Sequence, residues 1–565
     1  MTPTERVRAA YRTIAEVDRP EVWITLRDAD DVLREAAALE DRLAAGADLP
    51  LAGLVFAVKD NIDVAGLPTT AGCPSYAYSP EVSATVVRRL VDAGALVLGK
   101  TNLDQFATGL VGTRSPYGAV RHAQQPDKIS GGSSSGSAVA VALGIADFAL
   151  GTDTAGSGRV PAALHGIVGL KPTLGLVPNT GVVPAARSYD CVTVFAADLA
   201  QAQRAVTVMT GPDDADPTSR AWPPDARFAA TGPRVAVPDE EGLEPLSAER
   251  VAAFHSAVDR LRGAGVVVER IDVRPFLDAA TLLYDGALVA ERYAAVGDFL
   301  ATTPDGADPT VAGIVLAART LPAHRFATDL ERLDAYRTEA DSLLTRFDAL
   351  LLPTTTGHPT IAEVQADPVG VNSRMGVYTN FVNLLDMAAA AVPAGTADGS
   401  PFGVSVITRA FDDQVALDVG AMLTDVEPPQ ARPDAGTDLV VFGAHLRGCP
   451  LNHELTELGA RYLGEVHTAP EYRMVALPTV PPKPGVVRDR TRGESLLGER
   501  WRLSTTALGV FLSRLPEPMA LGVVIVDDGE QVLGFHCDAD TAAGGVDITE
   551  HGGWRAYLEA AGSVR

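Results

Sequence analysis

The chain has 565 residues, with 47 Lys plus Arg set against 72 Asp plus Glu, a formal charge of −25. That acidic balance excludes a general nucleic-acid binder, which needs a basic face to displace counterions from phosphates. Hydrophobic residues at 46% and charged residues at 21% describe a folded globular protein, and the length leaves room for about three or four domain-sized units, two or three of which one large α/β domain can take up.

The first residues, MTPTERVRAAYRTIAEVDRPE, alternate charges instead of offering a basic start and an apolar stretch. No signal peptide is expected, and the expected location is the cytoplasm. Gly53-Leu-Val-Phe-Ala-Val-Lys59-Asp60-Asn61 sets a lysine at the end of an apolar strand, Leu54 to Val58. The spacing then predicts a helix from Ser83 to Gly94: Ser83 caps it, Val86, Val87, Leu90 and Val91 share a face, and Gly94 stops it. Ala95 to Leu98 reads as the next strand. Gly94 to Thr101 also satisfies the phosphate-loop pattern G-x-x-x-x-G-K-T. Such a loop must follow a strand, open a helix and keep its amides free, whereas here a helix precedes and a strand lies within, so nucleotide binding is rejected.

The uncharged run Ile129 to Ala146 is too rich in Gly and Ser to serve as a membrane span of about 20 apolar residues. Helical and apolar segments alternate along the first 424 residues, the pattern of an α/β domain. The run DVEPPQARPDAGTD, Asp425 to Asp438, reads as a linker, and Leu439 to Gly443 as a strand that opens a second domain over residues 439–565. Short β-rich runs such as Leu521 to Val526, followed by Asp527-Asp528-Gly529, make that domain mainly β. The four cysteines lie far apart with no C-x-x-C pair, which argues for reduced thiols and against a zinc site. No metal and no cofactor are expected.

Three segments stand apart: the Lys59 strand, then Ser130-Gly-Gly-Ser133-Ser-Ser-Gly-Ser137, then Gly151-Thr-Asp153-Thr-Ala-Gly-Ser157-Gly-Arg159-Val-Pro161. Singly they read as a surface lysine, a loop and a turn. Together and in this order they resemble the amidase signature family of serine hydrolases, and the likeness runs from about Val22 to about Pro393, including Gly166-Ile-Val-Gly-Leu-Lys171-Pro172-Thr173. The resemblance implies a large mixed sheet covered by helices. It also implies a Ser-Ser-Lys triad, with Ser157 as nucleophile, Ser133 as bridge after a cis Gly132-Ser133 peptide, and Lys59 as base. A serine hydroxyl attacks a carbonyl only as an adjacent base takes its proton, and lysine can do this only when neutral. Lowering its pKa from about 10.4 to about 7.5 takes roughly 4 kcal/mol, which burial can supply. The backbone amides of Thr154, Ala155 and Gly156 are the expected oxyanion donors.

Substrate must be read outside the signature. Leu67-Pro-Thr-Thr-Ala-Gly-Cys73-Pro-Ser-Tyr-Ala-Tyr78, the Ala155 and Gly158 variant of the serine segment, and a C-terminal domain resemble the allophanate hydrolases. In that family a Tyr and an Arg eight residues apart bind the substrate carboxylate. Tyr284 and Arg292, on the helix-like stretch Leu282 to Leu300, fit. The segment Val440 to Leu455 is similar to the second domain of those enzymes and, more remotely, to the γ-glutamyl cyclotransferase-like fold. There the domain is associated with decarboxylating N-carboxycarbamate, and His445 and Glu499 are the candidates for its polar groups. The expected reaction is hydrolysis of the terminal amide of allophanate to ammonia and, overall, carbon dioxide. Expected partners are this small molecule and a second copy of the chain, without nucleic acid or membrane, and with a functional link to a separate biotin-dependent urea carboxylase. Two alternatives stay open: a broad-specificity amidase, and the amidase subunit of a tRNA-dependent amidotransferase.

Overall fold

The structure, a computed structural model, describes residues 1–230, 232–479 and 482–562. It divides into two compact units. The first holds residues 1–222 and 233–431, the second residues 223–232 and 432–565.

The first unit is built on strands β1 (Trp23–Leu26), β2 (Val55–Lys59), β3 (Leu96–Thr101), β4 (Phe148–Asp153), β5 (Val168–Lys171), β6 (Cys191–Ala196), β7 (Arg234–Pro238), β8 (Val267–Ile271), β9 (Ala349–Pro353), β10 (Ala388–Ala397) and β11 (Ser400–Thr408). They form one sheet in the order β1-β3-β2-β4-β6-β5-β10-β11-β9-β7-β8. β2 runs parallel to β3 and β4, while β4 meets β6 antiparallel, so the sheet is mixed. Every residue of β2, β3, β4 and β6 is buried. Strands buried on both faces read as continuous apolar runs rather than alternating ones, which is how they look in the sequence. Lys59, Lys100 and Asp153 are the charged exceptions, and each has a polar partner.

The helix after β2 is shorter than its spacing predicts, Thr85–Asp92. Ser83 does not cap it; its hydroxyl accepts instead from the Ala65 amide at 2.8 Å. Val86, Val87 and Leu90 are buried, but Val91 is 42% exposed, so the buried stripe is narrower than expected. The phosphate-loop look-alike is a turn followed by β3, with Lys100 fully buried beside Asp60.

The second unit carries β12 (Thr437–Val441), β13 (Arg461–His467), β14 (Tyr472–Leu477), β15 (Lys483–Arg488), β16 (Leu497–Leu503), β17 (Met519–Ile525), β18 (Gln531–Cys537) and β19 (Val546–Asp547). Five of them form the sheet β13-β16-β12-β18-β17 and three the sheet β15-β14-β19. Its first strand begins at Thr437, inside the run read as linker, because Thr437 and Asp438 pair with Leu503 and Arg502 of β16. Residues 223–232 join it through amides of Phe228 and Ala229 that donate to Gly459 O at 2.9 and 3.1 Å. Among the described residues no helix is long and apolar enough to cross a membrane.

Candidate active site

β2 carries Lys59 into the interior, where the side chain has no solvent exposure. Its Nζ donates to Ser133 Oγ at 2.8 Å and to Thr152 Oγ1 at 2.7 Å. Ser133 Oγ in turn donates to Ser157 Oγ at 2.9 Å. The three residues of the expected triad, far apart in sequence, thus form one hydrogen-bonded row. Burial pushes the Lys59 ammonium down from 10.5 to about 7, against the pull of the Asp104, Asp153 and Asp190 carboxylates. The Arg292 guanidinium adds to the lowering. A lysine near 7 is neutral often enough at neutral pH to accept a proton, and the same contacts can then run in the opposite sense, from Ser157 through Ser133 to Lys59.

Ser133 is held by its neighbours. The Gly132-Ser133 peptide is cis. A Cβ on Gly132 would lie 2.0 Å from Asp104 Oδ2, so only glycine lets the Asp104 carboxylate approach. That carboxylate accepts from the amides of Val111, Gly112 and Arg114 at 3.1, 2.9 and 2.9 Å, and the Asp104 amide donates to Ser133 O at 3.1 Å.

Ser157 sits on a turn that closes on its own carboxylate. Asp153 accepts from the amides of Gly156 (2.8 Å) and Gly158 (3.0 Å), and both its oxygens take Arg159 nitrogens at 2.9 Å. Both side chains of this pair are fully buried. Burial alone would raise Asp153, but the Arg159 charge and hydrogen bonds hold it below the usual carboxylate range. Arg159 is anchored further by Thr379 O and Asn383 Oδ1.

The oxyanion expectation needs one correction. The Gly156 amide is committed to Asp153 and is not free to bind a developing oxyanion. The amides of Thr154, Ala155 and Ser157 donate to no other described residue. Gly156, at φ +127°, is glycine for a different reason: a Cβ there would lie 2.3 Å from Thr379 Oγ1, which donates to Ala155 O at 2.7 Å.

Tyr284 and Arg292 also come together, though not on one helix. The chain turns at 282–286, and the helix that carries Arg292 is Ala290–Leu300. Asp329 Oδ2 accepts from the Ala287 amide at 2.6 Å and fixes the corner. Arg292 Nη2 donates to Tyr284 Oη at 2.8 Å and Nη1 to Thr108 Oγ1 at 2.9 Å. Its Nε is buried without a partner. Arg292 is 1% exposed, yet no acidic side chain among the described residues pairs with it. A buried guanidinium with spare donors and no paired carboxylate has the hydrogen-bonding geometry to hold an anion with planar oxygens.

In the second unit His445 and Glu499 do not share a site. Glu499 is buried, accepts from Arg447 N and Arg555 Nη2 at 2.8 Å each, and does not line the cavity beside His445. Its buried carboxylate is balanced by the more exposed Arg555 and Arg447, whose Nε lies 3.6 Å away. His445 instead pairs with Glu454, Nε2 to Oε2 at 2.9 Å, and stacks on Phe535. Burial lowers its pKa against the pull of Glu454. The two line a cavity of about 250 Å³ with Lys483, Arg514, Phe442 and Phe511. Neither Lys483 nor Arg514 has an acidic partner among the described residues.

Of the residues around the triad that sequence reading missed, Thr152, Asp153 and Arg159 lay within the serine segment. An acid and a base flanking Ser157 six residues apart were the available signal. Asp104, Thr379 and Asn383 reach the site only through the fold and carry no local signal.

A model of the amidase family matches residues 5–417, and a model of the allophanate hydrolase C-terminal domain matches residues 437–559. The urea amidolyases of Lachancea kluyveri and Saccharomyces cerevisiae are each 42% identical to this chain, over 580 and 589 residues. The matches cover 95% and 97% of this chain but 31% and 32% of theirs, so the chain spans about a third of the length of these curated relatives. The structure of Kluyveromyces lactis allophanate hydrolase superimposes with a TM-score of 0.88 at 39% identity, covering 99% of this chain and 97% of that one. The chain therefore belongs to the amidase family of hydrolases and carries the C-terminal domain found in allophanate hydrolases.

Proposed function

We propose that the chain hydrolyses allophanate, a small planar ureido carboxylate, through an acyl-enzyme on Ser157. Neutral Lys59 takes the Ser157 proton by way of Ser133 as the oxygen attacks the terminal carbonyl. The amides of Thr154, Ala155 and Ser157 are the donors left to hold the oxyanion. The protonated relay then delivers a proton to the departing nitrogen, and ammonia leaves. Water, deprotonated by the same relay, releases N-carboxycarbamate, which takes up a proton and loses carbon dioxide to give carbamate, and carbamate takes up a second proton and loses a second carbon dioxide to give the second ammonia. The observation that carries the choice of substrate is Arg292: a neutral amide would leave its buried charge uncompensated, whereas a carboxylate completes it.

The second unit fits the next species. N-carboxycarbamate carries two carboxylates, and the Lys483 and Arg514 charges beside His445 suit such a dianion. In this reading a biotin-dependent urea carboxylase supplies the substrate, and the enzyme works in the cytoplasm as a homodimer, a state that light scattering checks. The deciding experiment is ammonia release from allophanate, biuret, malonamate, glutamine and simple carboxamides. Allophanate is expected to be turned over with by far the highest kcat/KM. Preference for glutamine, or equal rates on uncharged amides, would instead favour the amidotransferase or broad-specificity readings.

A further inference from the structure

Lys100, the lysine of the rejected phosphate-loop pattern, is fully buried and lies next to the site. On β3 it sits opposite Val58, while Thr101 sits opposite Lys59. Neighbouring residues of a strand point to opposite faces. One face therefore carries Lys59 toward Ser133 and Thr101 Oγ1 to within 2.7 Å of Ser137 Oγ. On the other, Lys100 Nζ lies 3.2 Å from Asp60 Oδ1 and donates to Thr69 Oγ1 at 3.0 Å and to Pro68 O at 3.3 Å. Asp60 follows Lys59 directly, and its amide donates to Thr101 O at 3.1 Å.

The pair also reaches the carboxylate receptor. Asp60 Oδ2 accepts from the amide and hydroxyl of Thr70 at 2.9 and 2.5 Å, which shapes the 68–73 loop. That loop holds the next segment: the Phe106 amide donates to Ala71 O and Gln105 Nε2 to Gly72 O, both at 2.8 Å. Just beyond, Arg292 Nη1 donates to Thr108 Oγ1 at 2.9 Å and to Ala107 O at 3.4 Å. Stability alone does not call for such a pair, because well-packed apolar side chains of the same volume serve a core as well or better.

We propose that Lys100 and Asp60 are a positioning pair that fixes the end of β2 at Lys59 and, through the 68–73 loop, the segment that meets Arg292. The pair has an electrostatic role as well, since Lys100 cancels a carboxylate one residue from the base. The groups already acting on Lys59 are Asp104, Asp153, Asp190 and Arg292, and Asp63 adds its field on the Lys100 side. An uncompensated Asp60 would favour charged Lys59; an uncompensated Lys100 would disfavour it.

The inference rests on Lys59 as the base, and its test separates the two ideas. The wild-type full-length enzyme is assayed first: a kcat/KM profile on allophanate with no acid limb near pH 7 would count against the base itself. Given that limb, Lys100→Met is expected to move it up by roughly 1 pH unit and Asp60→Asn to move it down by a similar amount. Lys100→Arg should retain the wild-type limb, and the double variant Asp60→Leu with Lys100→Met should return close to it. Both single variants should also raise KM for allophanate more than for a neutral amide, as the loop below Arg292 loosens. Folded variants whose limbs stay in place, with equal losses on both substrates, would overturn the proposal and leave the pair a structural one. If Lys100→Met fails to fold, the direction of the Asp60→Asn shift decides.

Discussion

Arg292 donates to the Tyr284 hydroxyl at 2.8 Å while its guanidinium carbon lies 5.0 Å from the centre of the same ring, so one tyrosine holds a buried cation from two sides without neutralising it. Arg292→Lys keeps the charge but loses the planar fork. The KM for allophanate is expected to rise tenfold to a hundredfold, the span of charge-assisted hydrogen bonds worth about 1.5–3 kcal/mol. Slow turnover of a neutral amide should change by less than about threefold. Equal losses on both substrates would give Arg292 a purely structural role.

Lys59 is costly to the fold. Its folded pKa, about 7, lies below the ordinary 10.5, so the unfolded chain binds the proton more tightly. The resulting destabilisation is full below pH 7 and fades as pH rises toward 10.5. Lys59→Met should therefore abolish ammonia release yet melt higher than wild type at pH 6, with the difference closing by about pH 10. Calorimetry across that range checks the sign; a variant less stable at pH 6 would contradict the account.

Breaking the pair beneath the nucleophile should do the opposite. Arg159→Met leaves the Asp153 carboxylate buried and unpaired, at a cost of about 3–5 kcal/mol. Urea unfolding should show that loss, together with a lower rate as the turn bearing Ser157 loses its clamp. A stability change below about 1 kcal/mol would show that water or another cation takes over from Arg159.

Three histidines meet at the end of the helix that follows Ser157, Val160–His165: buried His122 stacks on buried His165 at 4.2 Å and meets half-buried His358 edge-on at 4.9 Å. Burial lowers all three, His358 to about 3, with Leu164 O and Ile129 O pulling upward and Lys128, Arg19 and Arg250 among the charges pushing down. Asp127 pulls weakly the other way. Protons that only the unfolded chain can bind make stability fall as pH drops below about 6.5, down to the folded values. His358→Gln, which can keep the donor to Ile129 O at 2.9 Å, should flatten the fall of melting temperature between pH 6.5 and 4. An unchanged slope would place the acid sensitivity elsewhere.

The α/β character, the Lys59 strand and the serine segments were legible because each shows in a local pattern: the apolar run before Lys59, and the small residues that let backbones close up around Ser133 and Ser157. The Tyr284 and Arg292 pair was legible through resemblance, but not its geometry, since nothing in the spacing announces the corner that Asp329 fixes from 42 residues away. The fate of the Gly156 amide was hidden for the same reason. An aspartate three residues before it can cap a turn or pair outward, and only the fold, by burying Arg159, decides which. Residues 223–232 carry no signal that they belong with the second unit, because their partner Gly459 is brought to them by tertiary packing. His445 and Glu499 were named together as candidate polar groups on the resemblance of the second domain, and the fold gives them different partners.

The most direct measurement is rapid-quench mass spectrometry of the intact chain mixed with allophanate, with ammonia followed in the same samples. The account predicts a carboxycarbamoyl adduct that maps to Ser157, formed together with one ammonia per enzyme, absent from Ser157→Ala and slow to form at pH values well below 7, where Lys59 is charged. An adduct on another residue, or ammonia released at the wild-type rate by Ser157→Ala, would contradict it.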